Sequence, residues 1–153
     1  HGNELRVLDL DAAISSTNPQ TIDINVGTGD SYPYGFSNDG QIVAFVADNG
    51  TATNFEPWIL DLDQVIDSNN PKLMGDINPS GSSSVDEFVV TNEGKVYFAA
   101  EDGTNGYELW IYDSNEASSS TNPSILREFP GSDEIYPYEM FKHTYAVEVD
   151  LNP

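Results

Sequence analysis

Three glutamates, Glu4, Glu56 and Glu108, open the related segments ELRVLDLD, EPWILDLD and ELWIYDSN at a constant spacing of 52 residues. Asn18-Pro19, Asn70-Pro71 and Asn122-Pro123 keep the same spacing in STNP, SNNP and STNP. SYPYGF at 31–36 returns as IYPYEM at 135–140, two such intervals further on. Three unrelated landmarks with one period constrain the fold more than composition can. Each unit of a repeat architecture must bury its apolar face against its neighbours, so the period sets the architecture. The units run approximately over residues 4–55, 56–107 and 108–153 and form one repeat-built all-β unit.

Each unit holds four short apolar stretches. IVAFVA (42–47) alternates and is rich in β-branched and aromatic residues, which predicts a strand. EPWILDL follows after a polar, Gly-bearing turn, so the two predict an antiparallel hairpin. A Ser/Asn/Pro-rich loop leads to PKLMGDIN, then a GSSS or GTGD turn, then VDEFVVT or SYPYGFS. DLDAAISS and DLDQVIDS leave room for one helical turn each, and no other segment has a useful helical period.

Four antiparallel strands per unit of this length predict β-propeller-type blades. The wording agrees. YGFSNDGQIVAFVADNG, continued by PWILDLD, resembles a blade of TolB-like propellers. DINPSGSSSVDEFVVTNEGKVYFAAEDGTNGYELWIYD closely resembles the ELWxxDGT repeat of large secreted and surface bacterial proteins. Glu108-Leu109-Trp110, Asp76-Ile77-Asn78-Pro79 and Asp102-Gly103-Thr104 carry that resemblance. One departure stands out: Asp113-Ser114-Asn115 occupies the place of the Asp-Gly-Thr that follows the Trp in the family. The resemblance implies an extracellular or cell-surface propeller serving as a binding or structural module of adhesion or matrix type. Similar propellers are also fused to peptidases and polysaccharide-degrading enzymes. The alternative is therefore the propeller part of a hydrolase with its active site elsewhere.

The ends are in phase as well. TYAVEVDLNP aligns with QIVAFVADNG, and HGNELRV supplies the strand that would come next. The chain thus holds two whole units and one split between its termini, whose end segments are expected to pair antiparallel. Three units are fewer than the roughly four to eight that close a propeller ring. The chain is then a segment whose further blades come from the same parent chain, a subunit of a ring-forming homo-oligomer, or a β-trefoil. The TolB-like wording argues against the trefoil.

Charge narrows the partners. Five Lys and Arg stand against 26 Asp and Glu, a formal net charge of −21. Nucleic acid and anionic membranes need Lys and Arg to neutralise phosphates, so neither is an expected partner. Cations, neutral carbohydrate or a basic protein are compatible with such a surface, as is a role in solubility alone. No apolar run approaches the length that spans a bilayer, and no cysteine is present to form a disulfide or thiolate metal site.

No catalytic set emerges. His1 and His143 form no evident pair, no Gly-x-Ser-x-Gly occurs, and GTGDS and GSSS lack the Lys of a phosphate loop. Carboxylates are the abundant reactive groups. Asp48 and Asp102 open Gly-bearing turns that end at Glu56 and Glu108, with Asn105 inside the second. One reading gathers Asp102, Asn105 and Glu108, and likewise Asp48 and Glu56, around a weakly held Ca²⁺. The simpler reading makes each Asp a turn cap through an Asx hydrogen bond, with Gly supplying the positive φ, and it is preferred. Asp9 with Asp11, and Asp61 with Asp63, alternate as if projecting from one strand face. Tyr32, Tyr34, Tyr136 and Tyr138 flank Pro33 and Pro137 on the strand that would line a central channel. They either stack on sugar rings or wall that channel. Trp58 and Trp110 share one repeat position and are expected in the core.

Overall fold

The computed structural model describes residues 2–26, 29–50, 55–104 and 106–127. The expectations for Asn105, Tyr136, Tyr138, His143 and the pairing of the two end segments lie outside the described residues. The described chain is all-β and contains no helix, hence none long and apolar enough to cross a membrane. Its strands are β1 (Leu5–Val7), β2 (Gln20–Ile22), β3 (Tyr34–Asn38), β4 (Ile42–Asp48) and β5 (Phe55–Asp61). They continue with β6 (Lys72–Leu73), β7 (Asp86–Val90), β8 (Lys95–Glu101), β9 (Tyr107–Asp113) and β10 (Ser124–Arg127). Three open antiparallel sheets result: β1-β2, the meander β3-β4-β5-β6, and the meander β7-β8-β9-β10.

The hydrophobic alternation explains how the sheets stack. Along β4, Ile42, Ala44 and Val46 enter one core while Phe45 and Ala47 enter another. Successive side chains point to opposite faces, so a strand apolar throughout must be covered on both. The first core joins the two four-stranded sheets, adding Ile59, Phe88, Val96, Phe98 and Tyr112. The second joins β1-β2 to the middle sheet through Leu5, Ile22, Ile24 and Leu60. Each fully buried Ile, Leu or Phe contributes about 1.5–3 kcal/mol.

The long hairpins match residue for residue. Phe45 opposes Trp58 in β4-β5, and Phe98 opposes Trp110 in β8-β9. Each indole N–H donates to a carbonyl of the neighbouring strand, Trp58 to Ala47 at 3.2 Å and Trp110 to Ala100 at 3.3 Å. Both rings pack on the cores but stay half-buried, less enclosed than the sequence leads one to expect. The indole needs a polar partner as well as an apolar face, and the strand carbonyl supplies it.

An amide, buried at Asn18 and Asn122 and half-buried at Asn70, organises each loop that leaves the third strand of a unit. Asn18, Asn70 and Asn122 accept a hydrogen bond from the backbone N–H of Asp9, Asp61 and Asp113, and donate one back to the carbonyl of the same residue. The same short backbone bridge accompanies each, Ser15 with Asn18, Asp67 with Asn70 and Ser119 with Asn122. These loops form no helical turn, contrary to the pattern of DLDAAISS and DLDQVIDS. Asn18 Nδ2 claims the carbonyls of Ala12 and Ala13, and Asn70 Nδ2 that of Val65, so those acceptors already have a donor without helical bonding. The expected strand face of paired acids is also corrected. β1 ends at Val7, and Asp11 N–H donates to Asp9 Oδ1 within a turn. Asp63 N–H does the same to Asp61 Oδ1.

Candidate functional site

The first strands of the two larger sheets, β3 and β7, lie against each other, and what precedes them fixes their place. Ser31 and Ser83 are both fully buried. Ser83 N–H and Oγ–H donate to Phe55 O at the start of β5, while Ser83 O accepts from Glu101 N–H at the end of β8. Ser31 repeats this with Asn3 O and Asp48 N–H. Each serine therefore pins the incoming strand to one sheet and the outgoing strand to the next. Beneath it lies a carboxylate. Ser31 Oγ–H donates to Glu4 Oε2 at 2.5 Å. Glu56 Oε1 accepts from Ser83 N–H at 3.2 Å and Glu56 Oε2 from Ile77 N–H at 2.9 Å. Burial pushes the Glu56 carboxyl up to about 7, against the opposing pull of the Ile77 and Ser83 hydrogen bonds and with the Asp76 charge adding to the rise.

Just beyond the serines the backbone takes an uncommon course in both units. Tyr32 and Ser84 have φ of 42° and 48°, and Gly35 and Glu87 have φ of 68° and 48°. The register against the next strand shifts between Tyr34 and Ser37 in one sheet and between Asp86 and Phe88 in the other. Irregularities of this kind bend a strand and re-aim its side chains.

Between β3 and β7 lies a groove of about 410 Å³. Tyr34 and Phe36 line one side, Asp86 and Glu87 the other, with buried Val46 and Val85 also contributing. Tyr34 and Phe36 are 46% and 53% exposed, yet each keeps contact with the interior. Tyr34 tilts against Phe55 with ring centroids 5.8 Å apart, and Phe36 stacks on Phe45 at 5.5 Å. Burial pushes the Tyr34 hydroxyl up, and the neighbouring Tyr107 and Asp86 add to the rise. Tyr32 is turned to another task. Its hydroxyl hydrogen-bonds Asp30, which holds the Asp30 carboxyl low and the Tyr32 hydroxyl high.

The acids singled out for a cation fall in different surroundings. Asp48 Oδ1 accepts from Gly50 N–H at 2.7 Å, and Asp102 Oδ1 from Thr104 N–H at 2.7 Å. Both exemplify Asx capping, with Gly50 and Gly103 at positive φ. Glu56 and Glu108 are instead 0% exposed and lie in the interior. Asp48 pairs with Phe55 and Ala47 with Glu56, so Asp48 and Glu56 are not directly opposite each other in the ladder. Among the described residues no three acids or histidines are grouped to hold a metal ion. Asp39 and Asp113 carry the same capping role: the Ile42 N–H holds the Asp39 carboxyl low, and an ion pair with Lys95 holds the Asp113 carboxyl low.

Sequence reasoning missed the serine locks and the strained glutamate. The signals were present, since Ser31 and Ser83 obey the 52-residue interval, as do Gly35 and Glu87. Compared with protein-family models, curated proteins and solved structures, the chain matches none.

Proposed function

We propose that the chain is a segment of a secreted or cell-surface β-propeller and serves as a binding or structural module. The observation that carries this reading is the pair of four-stranded meanders in chain order, with β3 and β7 side by side at an open groove bearing exposed aromatic rings. A propeller stacks such sheets with their first strands innermost. A trefoil would instead tie strands from all units into a common barrel, whereas these sheets are joined by side chains. The ELWxxDGT and TolB-like wording supports the extracellular setting. A groove lined by Tyr34, Val46, Val85 and Phe88 with adjoining acids supports a protein or carbohydrate ligand.

The test is a titration of the chain with neutral oligosaccharides and with short peptides, followed by NMR of the Tyr34 and Phe36 neighbourhoods. A saturable ligand that perturbs these residues and is weakened by Phe36→Ala supports the reading. Turnover of peptide or glycan by the chain would favour the hydrolase alternative.

A further inference from the structure

The two cores are built on one rule. At each junction a residue at the end of a sheet's last strand shares a core with a residue on the strand next to last in the following sheet. Ile22 of β2 joins Leu60 of β5, and Met74, just past β6, joins Tyr112 of β9. These positions keep the 52-residue interval, as Leu8, Leu60 and Tyr112 and as Ile22, Met74 and Leu126. Ile22, Leu60, Met74 and Tyr112 are buried, whereas Leu8 is 45% and Leu126 53% exposed. A single exposed leucine needs no explanation, but two at positions that the repeat buries elsewhere do. A polar tie marks each junction too. Gln20 Nε2 donates to Ile66 O at 2.9 Å, and Ser118 Oγ–H donates to Leu73 O at 3.3 Å. The loop after β5 thus lies on β2, and the loop after β9 lies on β6. Ile66 packs against the second core, while its counterpart Ile14 is 80% exposed. Among the described residues β1 pairs only with β2, so its other edge is open. Leu8 and Ile14 therefore form the incoming half of a junction, and Leu126 belongs to an outgoing half.

We propose that these two halves meet between copies of the chain: Leu8 and Ile14 of one copy dock head to tail against Leu126 of a second, repeating the junction that already joins the sheets. The two patches differ, so the contact is heterologous and closes only if the rotation between units allows it. Two copies bring together six units, within the roughly four to eight that close a propeller ring, whereas the three units of one chain are too few to bring its own patches together. Copies at −21 each repel one another, but salt screens that repulsion and leaves apolar burial in place. The inference rests on reading the chain as a propeller segment and names a second copy as its partner.

The experiment is sedimentation velocity with small-angle X-ray scattering over a range of chain concentrations. Ile14→Asp alters the incoming patch and Leu126→Asp the outgoing one. Val65→Asp adds the same charge at another exposed apolar position, in the middle of the described fold. Melting curves check that each variant folds, and Leu126→Ser replaces Leu126→Asp should the latter melt below wild type. The wild-type chain is expected to form a closed dimer, held more firmly at about 500 mM than at about 50 mM salt. Ile14→Asp and Leu126→Asp should each weaken association at least about tenfold, and Val65→Asp by less than about twofold. Mixing the two patch variants should restore dimers, because each supplies the half that the other lacks. A mixture that associates no better than either variant alone would overturn the proposal, as would equal weakening by Val65→Asp. Association that weakens with salt would assign the contact to charge and overturn the apolar junction. A chain that stays monomeric at every salt concentration also overturns the docking, while the propeller reading is judged separately by the rotation between its sheets. Open-ended filaments that both patch variants abolish would support the head-to-tail docking and overturn the propeller reading, since the units would then stack without closing a ring.

Discussion

Replacing Glu56 by glutamine should change the pH dependence of folding stability in a defined direction. Glu56 is wholly buried and receives the N–H groups of Ile77 and Ser83. Burial raises its carboxyl from 4.5 to about 7. Between those two values the folded chain holds a proton that the unfolded chain releases. Stability therefore falls as pH rises through this window, and the penalty is complete above pH 7. A displacement of this size corresponds to about 3 kcal/mol. Glutamine cannot titrate, but its amide group must turn a donor toward one of the two N–H groups, which costs about 1–3 kcal/mol at any pH. Urea unfolding at pH 5, 6, 7 and 8 should find the glutamine variant the less stable at pH 5. The difference should then shift by about 2.5 kcal/mol in the variant's favour by pH 8, closing or reversing the gap, as ionisation penalises the wild type alone. Comparing the two chains cancels the general repulsion among the remaining acids. A gap constant within about 0.5 kcal/mol from pH 5 to pH 8 would show the carboxylate ionised throughout and refute the reasoning.

Asn122→Ala should destabilise by about 2–3 kcal/mol, since it orphans Asp113 N–H and the carbonyls of Asp113, Glu116 and Ala117. Asn122→Asp should cost at least as much in denaturant titrations, because a carboxylate oxygen would face those carbonyls; an unaffected Asp variant would dismiss the amide as organiser. Gly75→Ala should cost about 1–3 kcal/mol, read as a lowered Tm, because its Cβ would stand 2.9 Å from Pro123 Cδ; an unchanged Tm would mean the two loops separate freely. Millimolar Ca²⁺ is expected to move Tm no more than Mg²⁺ does at equal ionic strength, with Asp48 and Asp102 engaged as turn caps and Glu56 and Glu108 turned inward. A Ca²⁺-specific rise would restore the turn acids as ligands.

Local pattern carried the strands well. IVAFVA and EPWILDL became β4 and β5 because alternation and a turn between them are properties of neighbouring residues. That β4 feeds two separate cores was not visible, since period two says only that faces alternate and not what covers each. The Asn-Pro landmarks announced the repeat without showing its physics. An amide reaching back nine residues, to the end of a strand or just past it, leaves no local hydrophobic signature. Glu56 read as a turn ligand because it closes an acidic, Gly-rich stretch. Its partners Ile77 and Ser83 are 21 and 27 residues away, and only the stacking of two sheets brings them to it. The groove was half legible: Tyr34 was singled out, but Phe36, Asp86 and Glu87 join it only through the meeting of β3 and β7.

The arrangement of the sheets is tested most directly by the rotation relating β3-β4-β5-β6 to β7-β8-β9-β10 in crystals of the chain. A propeller of four to eight blades requires about 45° to 90° about a single axis running beside β3 and β7. The same rotation should carry Ser31 onto Ser83 and Gly35 onto Glu87. Two sheets packed face to face with their strands aligned at about 30° would make the fold a sandwich and contradict the account.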